Sequence, residues 1–333
     1  MSFPIVSPSF YRDLTDPTKK ENDGIKYNVT ISPVAIEYSF PLYQEKVVRK
    51  LMEIKEPISF VAQDTIPEKV KRYTEERDEL ILKYNYLSNY GLGKAFMMNA
   101  IQDRNYSIEK RMLLMNFMSK SVQNAIDRKR DREIPGFVKG FVEKTDRSEI
   151  MEFFSRLSPN FRYSVMDAFS VLRGMPSTPA FDEVRKTVFA KLGFDEKLSQ
   201  PEGDTFSAHV DEYIELKRAF SEDFLRQGKE DSREYYLENV MVNYIWTLSM
   251  PYADYSHDMW DNFMFFNIIF NTIKVMLTCY ITPENSDEDF VRAITAFDES
   301  MESIRGSMVD ITVRSVEKRG LDNNGDMAVL ALS

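Results

Sequence analysis

Apolar residues recur at helical spacing along two neighbouring stretches, YYLENVMVNYIWTLSM from Tyr235 and DMWDNFMFFNIIFNTIKVMLTCYI ending at Ile281. Only residues 251–257 separate them, so the pattern predicts an αα-hairpin. The second stretch is apolar around most of its circumference, and such a helix must be surrounded by others. It is expected to be the central helix of an all-α, multi-helix, bundle-like domain.

The same period runs through most of the chain. Leu42, Val47, Val48, Leu51, Met52 and Ile54 fit a helix ended by Pro57, and Pro67 to Asn89 fits another. Gly91, Leu92 and Gly93 read as a break before KAFMMNAIQ. Ser107 opens a helix with the apolar face Ile108, Met112, Met115, Phe117, Met118, Val122 and Ile126, and Pro135-Gly136 reads as a stop. Further helices are expected at 136–144, 147–157, 161–172, 181–192 and 206–227, with the loosest stretch at 193–205. Another begins near Asp231, where Ser232 can cap it. Ser286-Asp287-Glu288-Asp289 has the form of a capping box for the helix through Val291, Ile294, Phe297, Met301 and Ile304.

Pro4, Pro8, Pro17, Pro33 and Pro41 bar helix at the start of the chain. Residues 1–40 are therefore expected to form an irregular arm, 41–320 a single helical domain, and 321–333 a frayed or extended tail. The recurring β-branched runs and glycine turns of a parallel sheet do not occur.

A formal charge of -10 over 333 residues disfavours nucleic acid, because a phosphate-tracking surface needs excess Lys and Arg. Asp258, Asp261, Asn262, Asn267, Asn271 and Lys274 interrupt the most apolar stretch, so no membrane span is expected. The opening MSFPIVSPSFYRDL lacks a basic segment followed by an apolar one, which makes a cytoplasmic location the expectation.

Motifs for catalysis are weak. Gly91-Leu92-Gly93-Lys94 lacks a third glycine and a preceding strand, so helix punctuation explains it better than a phosphate cradle. Cys279 lies mid-helix among apolar residues, without the positive surroundings that activate a thiol, and neither His209 nor His257 is placed beside it by sequence. No metal site is expected from one cysteine and two histidines. Asp322 to Asp326 has calcium-loop composition but neither the alternate spacing nor the closing Glu, and reads as a turn.

The unusual feature is polarity inside the apolar stretches. Tyr236, Asn239, Asn243, Trp246, Trp260, Phe266, Asn267 and Asn271 could line a face of aromatics and amides for a ligand or protein partner. Buried amides must also be hydrogen-bonded, so the same residues could simply tie helices together. The catalytic residues are unknown on either reading.

The order YYLENVMVNYIWTLSMPY, polar link, DMWDNFMFFNIIFNTIKVMLTCY, then SDEDFVRAITAFDESMES resembles the C-terminal helical region of the bacterial flagellin lysine-N-methylase family. Weaker similarity extends through RYSVMDAFSVLRGMP and SIEKRMLLMNFMSKSV. The resemblance implies an N-terminal cysteine-rich segment holding an iron–sulfur cluster, yet Ser32 stands ahead of Pro33 where the family's last cysteine would be. No such cluster is expected here, since serine cannot replace several thiolates.

Three readings follow from this resemblance. One is a binding or accessory scaffold for flagellin or another protein, working alone or with a separate cysteine-rich subunit. The second is an S-adenosylmethionine-dependent protein-lysine N-methyltransferase of flagellin, with Trp260 and Phe266 flanking the sulfonium. A bundle adapted to an unrelated partner is the third.

Overall fold

The computed structural model describes residues 40–57, 90–143, 147–194, 203–226, 229–248, 250 and 258–333. The arm, the helix expected from Pro67 to Asn89, most of the loose stretch at 193–205 and the link bearing His257 lie outside the described residues, wholly or in large part. Among the described residues the fold is all-α, with thirteen α-helices and no strand.

In chain order these are α1 (Glu45–Glu53), α2 (Tyr90–Ile101), α3 (Ile108–Asp127), α4 (Ile134–Glu143), α5 (Ser148–Phe154), α6 (Phe161–Gly174) and α7 (Pro179–Lys191). They continue as α8 (Gly203–Ala219), α9 (Glu234–Thr247), α10 (Met259–Tyr280), α11 (Ser286–Glu302), α12 (Met308–Lys318) and α13 (Asn324–Leu332). A π-helical turn, Phe220–Leu225, extends α8.

Several starts are written in local chemistry. The side chains of Asn160, Thr178, Asp258 and Asn323 each accept a backbone N–H of the first turn, opening α6, α7, α10 and α13. Asn323 thus explains the run that has calcium-loop composition: it caps a helix. Gly193 and Gly320 take φ of 73° and 66° just past α7 and α12, where a left-handed residue closes the last turn.

The centre of the molecule is α10. It is long and apolar enough to cross a membrane, but every residue except Asp261 is buried inside the fold, with α3, α6, α7, α8, α11, α12 and α13 packed around it. Its hairpin neighbour α9 takes its main packing from α1, α2 and α3. Both helices are apolar over most of their circumference, so each collects its own ring of neighbours.

Four expectations change. Gly91 and Gly93 lie within the first turn of α2, where the N–H groups lack intrahelical partners anyway and glycine costs least. Pro135 sits in the first turn of α4 and starts a helix instead of stopping one. The capping box is not formed: Asn285 precedes α11 without a side-chain cap, and Asp289 accepts from Thr282 N and Oγ1 at 2.9 and 2.7 Å. The tail is neither frayed nor extended. Helix α13 lies between α3 and α10 with Met327, Ala328, Leu330 and Ala331 buried, because its run MAVLAL can leave water only as a helix once α3 and α10 are apposed.

Candidate functional site

The residues singled out by sequence fall into two groups facing different elements. From α9, Asn239 Nδ2 donates to Leu51 O and Ile54 O at 2.8 and 2.7 Å, and Asn243 Nδ2 donates to Phe40 O at 2.8 Å. These amides tie the start of the domain to α9. Tyr236 packs against Phe224 and Phe290, and Trp246 is half-buried.

From α10, Asn267 Nδ2 donates to Met327 O at 2.8 Å, holding α13. Asn271 Nδ2 donates to Ser164 O at 3.1 Å while its Oδ1 accepts Ser164 Oγ at 2.6 Å, holding α6. Trp260 Nε1 donates to Asp322 O at 2.9 Å; Lys120 Nζ sits 4.4 Å over the ring and Phe263 stacks on it. Phe266 is fully buried. These hydrogen bonds and contacts are those of helix ties, the structural alternative of the sequence reading.

Two buried ionic clusters carry no signature in the motifs. In the first, Arg111 Nη1 and Nη2 donate to Glu238 Oε2 and Glu234 Oε2 at 2.7 and 2.8 Å, and Arg104 closes the cluster on Glu238. Glu234 also accepts Ile108 N, and Arg111 Nε donates to Tyr106 O, so the polar atoms are matched within the fold. Burial pushes the Glu234 carboxyl up, against the opposing charge of Arg111. Glu234 and Glu238 stand four residues apart on an apolar helix, which is the signal that could have found this cluster.

The second cluster caps α13. Lys274 Nζ donates to Ala331 O at 3.1 Å, and Lys217 Nζ donates to Leu332 O and Ser333 O at 3.1 and 2.5 Å, placing cations at a helix C-terminus. Burial holds both lysines below the ordinary ammonium range, Lys274 well below it. Burial alone would raise Glu109; the charges of Lys274 and Lys217 outweigh it and keep that carboxyl below its usual value.

An open concavity lies between α6 and α12. It holds about 90 Å³, with Ile268 of α10 in its wall together with Val171, Gly174, Met175, Ile304, Met308 and Ile311. Asp167, Ser170, Thr312, Ser315 and Arg319 complete the lining. Arg319 Nη2 donates to Asp167 Oδ1 at 2.8 Å and Arg319 Nε to Ser315 O at 3.1 Å. Asp167 is fully buried, and burial raises its carboxyl in spite of the guanidinium. Arg319 by contrast is 31% exposed, so the charge a ligand meets is positive. Nothing lies within 4 Å of where a Cβ on Gly174 would stand.

Fold and sites together define an all-α domain assembled on one buried helix, whose internal polar groups serve cohesion and whose described surface carries a small amphipathic cleft. The family model described as the FliB lysine N-methylase C-terminal domain matches residues 94–330, and the chain belongs to that family. No curated protein and no solved structure matches it.

Proposed function

We propose that this flagellin-methylase-related chain is a binding or accessory scaffold for flagellin or another protein, and that it does not perform methyl transfer by itself. The observation that carries this reading is its cysteine chemistry. The 333 residues contain one cysteine, Cys279, which lies in the last turn of α10 and not mid-helix as expected; burial there pushes the thiol pKa up and leaves it protonated. An iron–sulfur cluster of the kind the family implies needs several thiolates, so these residues do not fit one. Thiolates from outside these 333 residues would have to supply it.

The aromatic rings suggested for a sulfonium donor offer it little. Phe266 has no exposed surface, and the Trp260 ring is occupied by Lys120 and Phe263. A cation–π site needs an accessible ring face.

The test is co-precipitation of flagellin with the purified chain, with and without S-adenosylmethionine, followed by intact mass analysis. Retention of flagellin at unchanged mass is expected. Methylated flagellin lysines would replace the scaffold with the methyltransferase reading, and no retention would remove flagellin as the partner.

A further inference from the structure

We propose that the cleft between α6 and α12 is the docking pocket for a protein partner, taking one aliphatic side chain whose neighbouring acidic residue meets Arg319. This rests on the scaffold reading and names the part of the surface that does the binding.

Size decides first. Pockets for cofactors and drug-sized ligands occupy roughly 300–1,000 Å³. A cavity of about 90 Å³ falls well short of these and has the scale of a single buried anchor side chain. The cleft is also polarised along its length. Gly174 and Asp167 are seven residues apart on α6, which at 1.5 Å per residue is about 10 Å. At one end Met175, Ile304 and Met308 make the wall apolar, and Ile311 is 53% exposed at the rim. At the other, Arg319 spends Nε on Ser315 and Nη2 on Asp167, leaving Nη1 without a hydrogen bond among the described residues.

Charge selects the kind of partner. The charged groups in the lining of the cleft are Arg319, partly exposed, and Asp167, buried, on a chain of net charge -10. Asp310 is paired with Arg314, and Asp167 is sealed beneath Arg319. An acidic segment is therefore attracted here and repelled by the chain as a whole, which favours this orientation.

The experiment uses the full chain labelled at isoleucine δ1 methyl groups, with N-acetyl-leucine as the minimal aliphatic–carboxylate probe. Saturable shifts are expected at Ile268, Ile304 and Ile311, with N-acetyl-leucine amide, which lacks the charge, binding at least about threefold more weakly. Gly174→Leu, which fills open space at negative φ, is expected to abolish the shifts while leaving thermal unfolding in place. Absence of saturable shifts, equal binding of the amide, or undiminished binding by Gly174→Leu would each overturn the proposal.

Flagellin retention is read in parallel. Retention equal in wild type and Gly174→Leu overturns the pocket and leaves the scaffold reading standing. Probe binding without flagellin retention supports the pocket and removes flagellin as its occupant.

Discussion

The ring of contacts around α10 and the cleft between α6 and α12 are built from the same helices and treat polar groups in opposite ways. Around α10, Asn267, Asn271, Lys274 and Trp260 are all buried, and each has its donor bonded to a neighbouring element. In the cleft, Arg319 remains partly exposed beside an apolar trough that nothing in the described chain fills. A polar residue inside an apolar helix marks cohesion here through its donor, since an unpaired buried N–H costs about 1–3 kcal/mol; Asn267 Oδ1 is left without a partner among the described residues. Capacity to bind lies where a packed element stops short of closing.

This contrast can be broken by removing internal partners. The largest effect belongs to Glu238→Ala, which takes one of the two carboxylates from buried Arg111 and removes the carboxylate to which Arg104 donates. A loss of about 3–5 kcal/mol is expected in chemical unfolding, as for breaking one side of a buried ion pair. A loss below about 1 kcal/mol would show that the cluster is solvated.

Asn271→Ala removes both hydrogen bonds to Ser164 and should cost about 1–3 kcal/mol. If it instead left stability unchanged, the amide would not be a helix tie, and the ligand face would regain its case.

A smaller effect should appear as a pH slope. Lys274 titrates well below its unfolded value, so between those two values the unfolded chain binds more protons than the folded one. Stability from this lysine therefore rises with pH across that window and falls as pH drops through it. Lys274→Met should flatten the dependence on the acid side of the unfolded lysine value of about 10.4 in thermal melts. A slope as steep as that of wild type would assign the effect to other groups.

The smallest effect on stability is expected at the cleft rim. Ile311→Ser should change unfolding by less than about 0.5 kcal/mol, since the side chain is largely exposed. Partner binding should suffer instead. A large loss of stability would mean that the rim belongs to the core.

Much of the fold was legible because burial leaves a period. The continuous apolar pattern of residues 259–280 announced the central helix, whereas the caps Asn160, Thr178 and Asp258 emerged only from the structure. The tail was not legible as a helix. Its nine helical residues are too short to hold one alone, and docking between α3 and α10 supplies what length does not. The cleft was invisible for a related reason. Asp167 and Arg319 are 152 residues apart, and each alone looks like an ordinary charge on a helix or at its end. The amides around α10 were conspicuous in sequence, whereas their acceptors, Met327 O and Ser164 O, were not.

The central claim is that this member of the family binds its protein partner without carrying methyl transfer in its own residues. Intact-mass analysis of flagellin co-precipitated by the purified chain in the presence of S-adenosylmethionine tests it most directly. The account predicts flagellin retained at its unmodified mass; flagellin recovered with added methyl groups on lysine, from this chain alone, would contradict it.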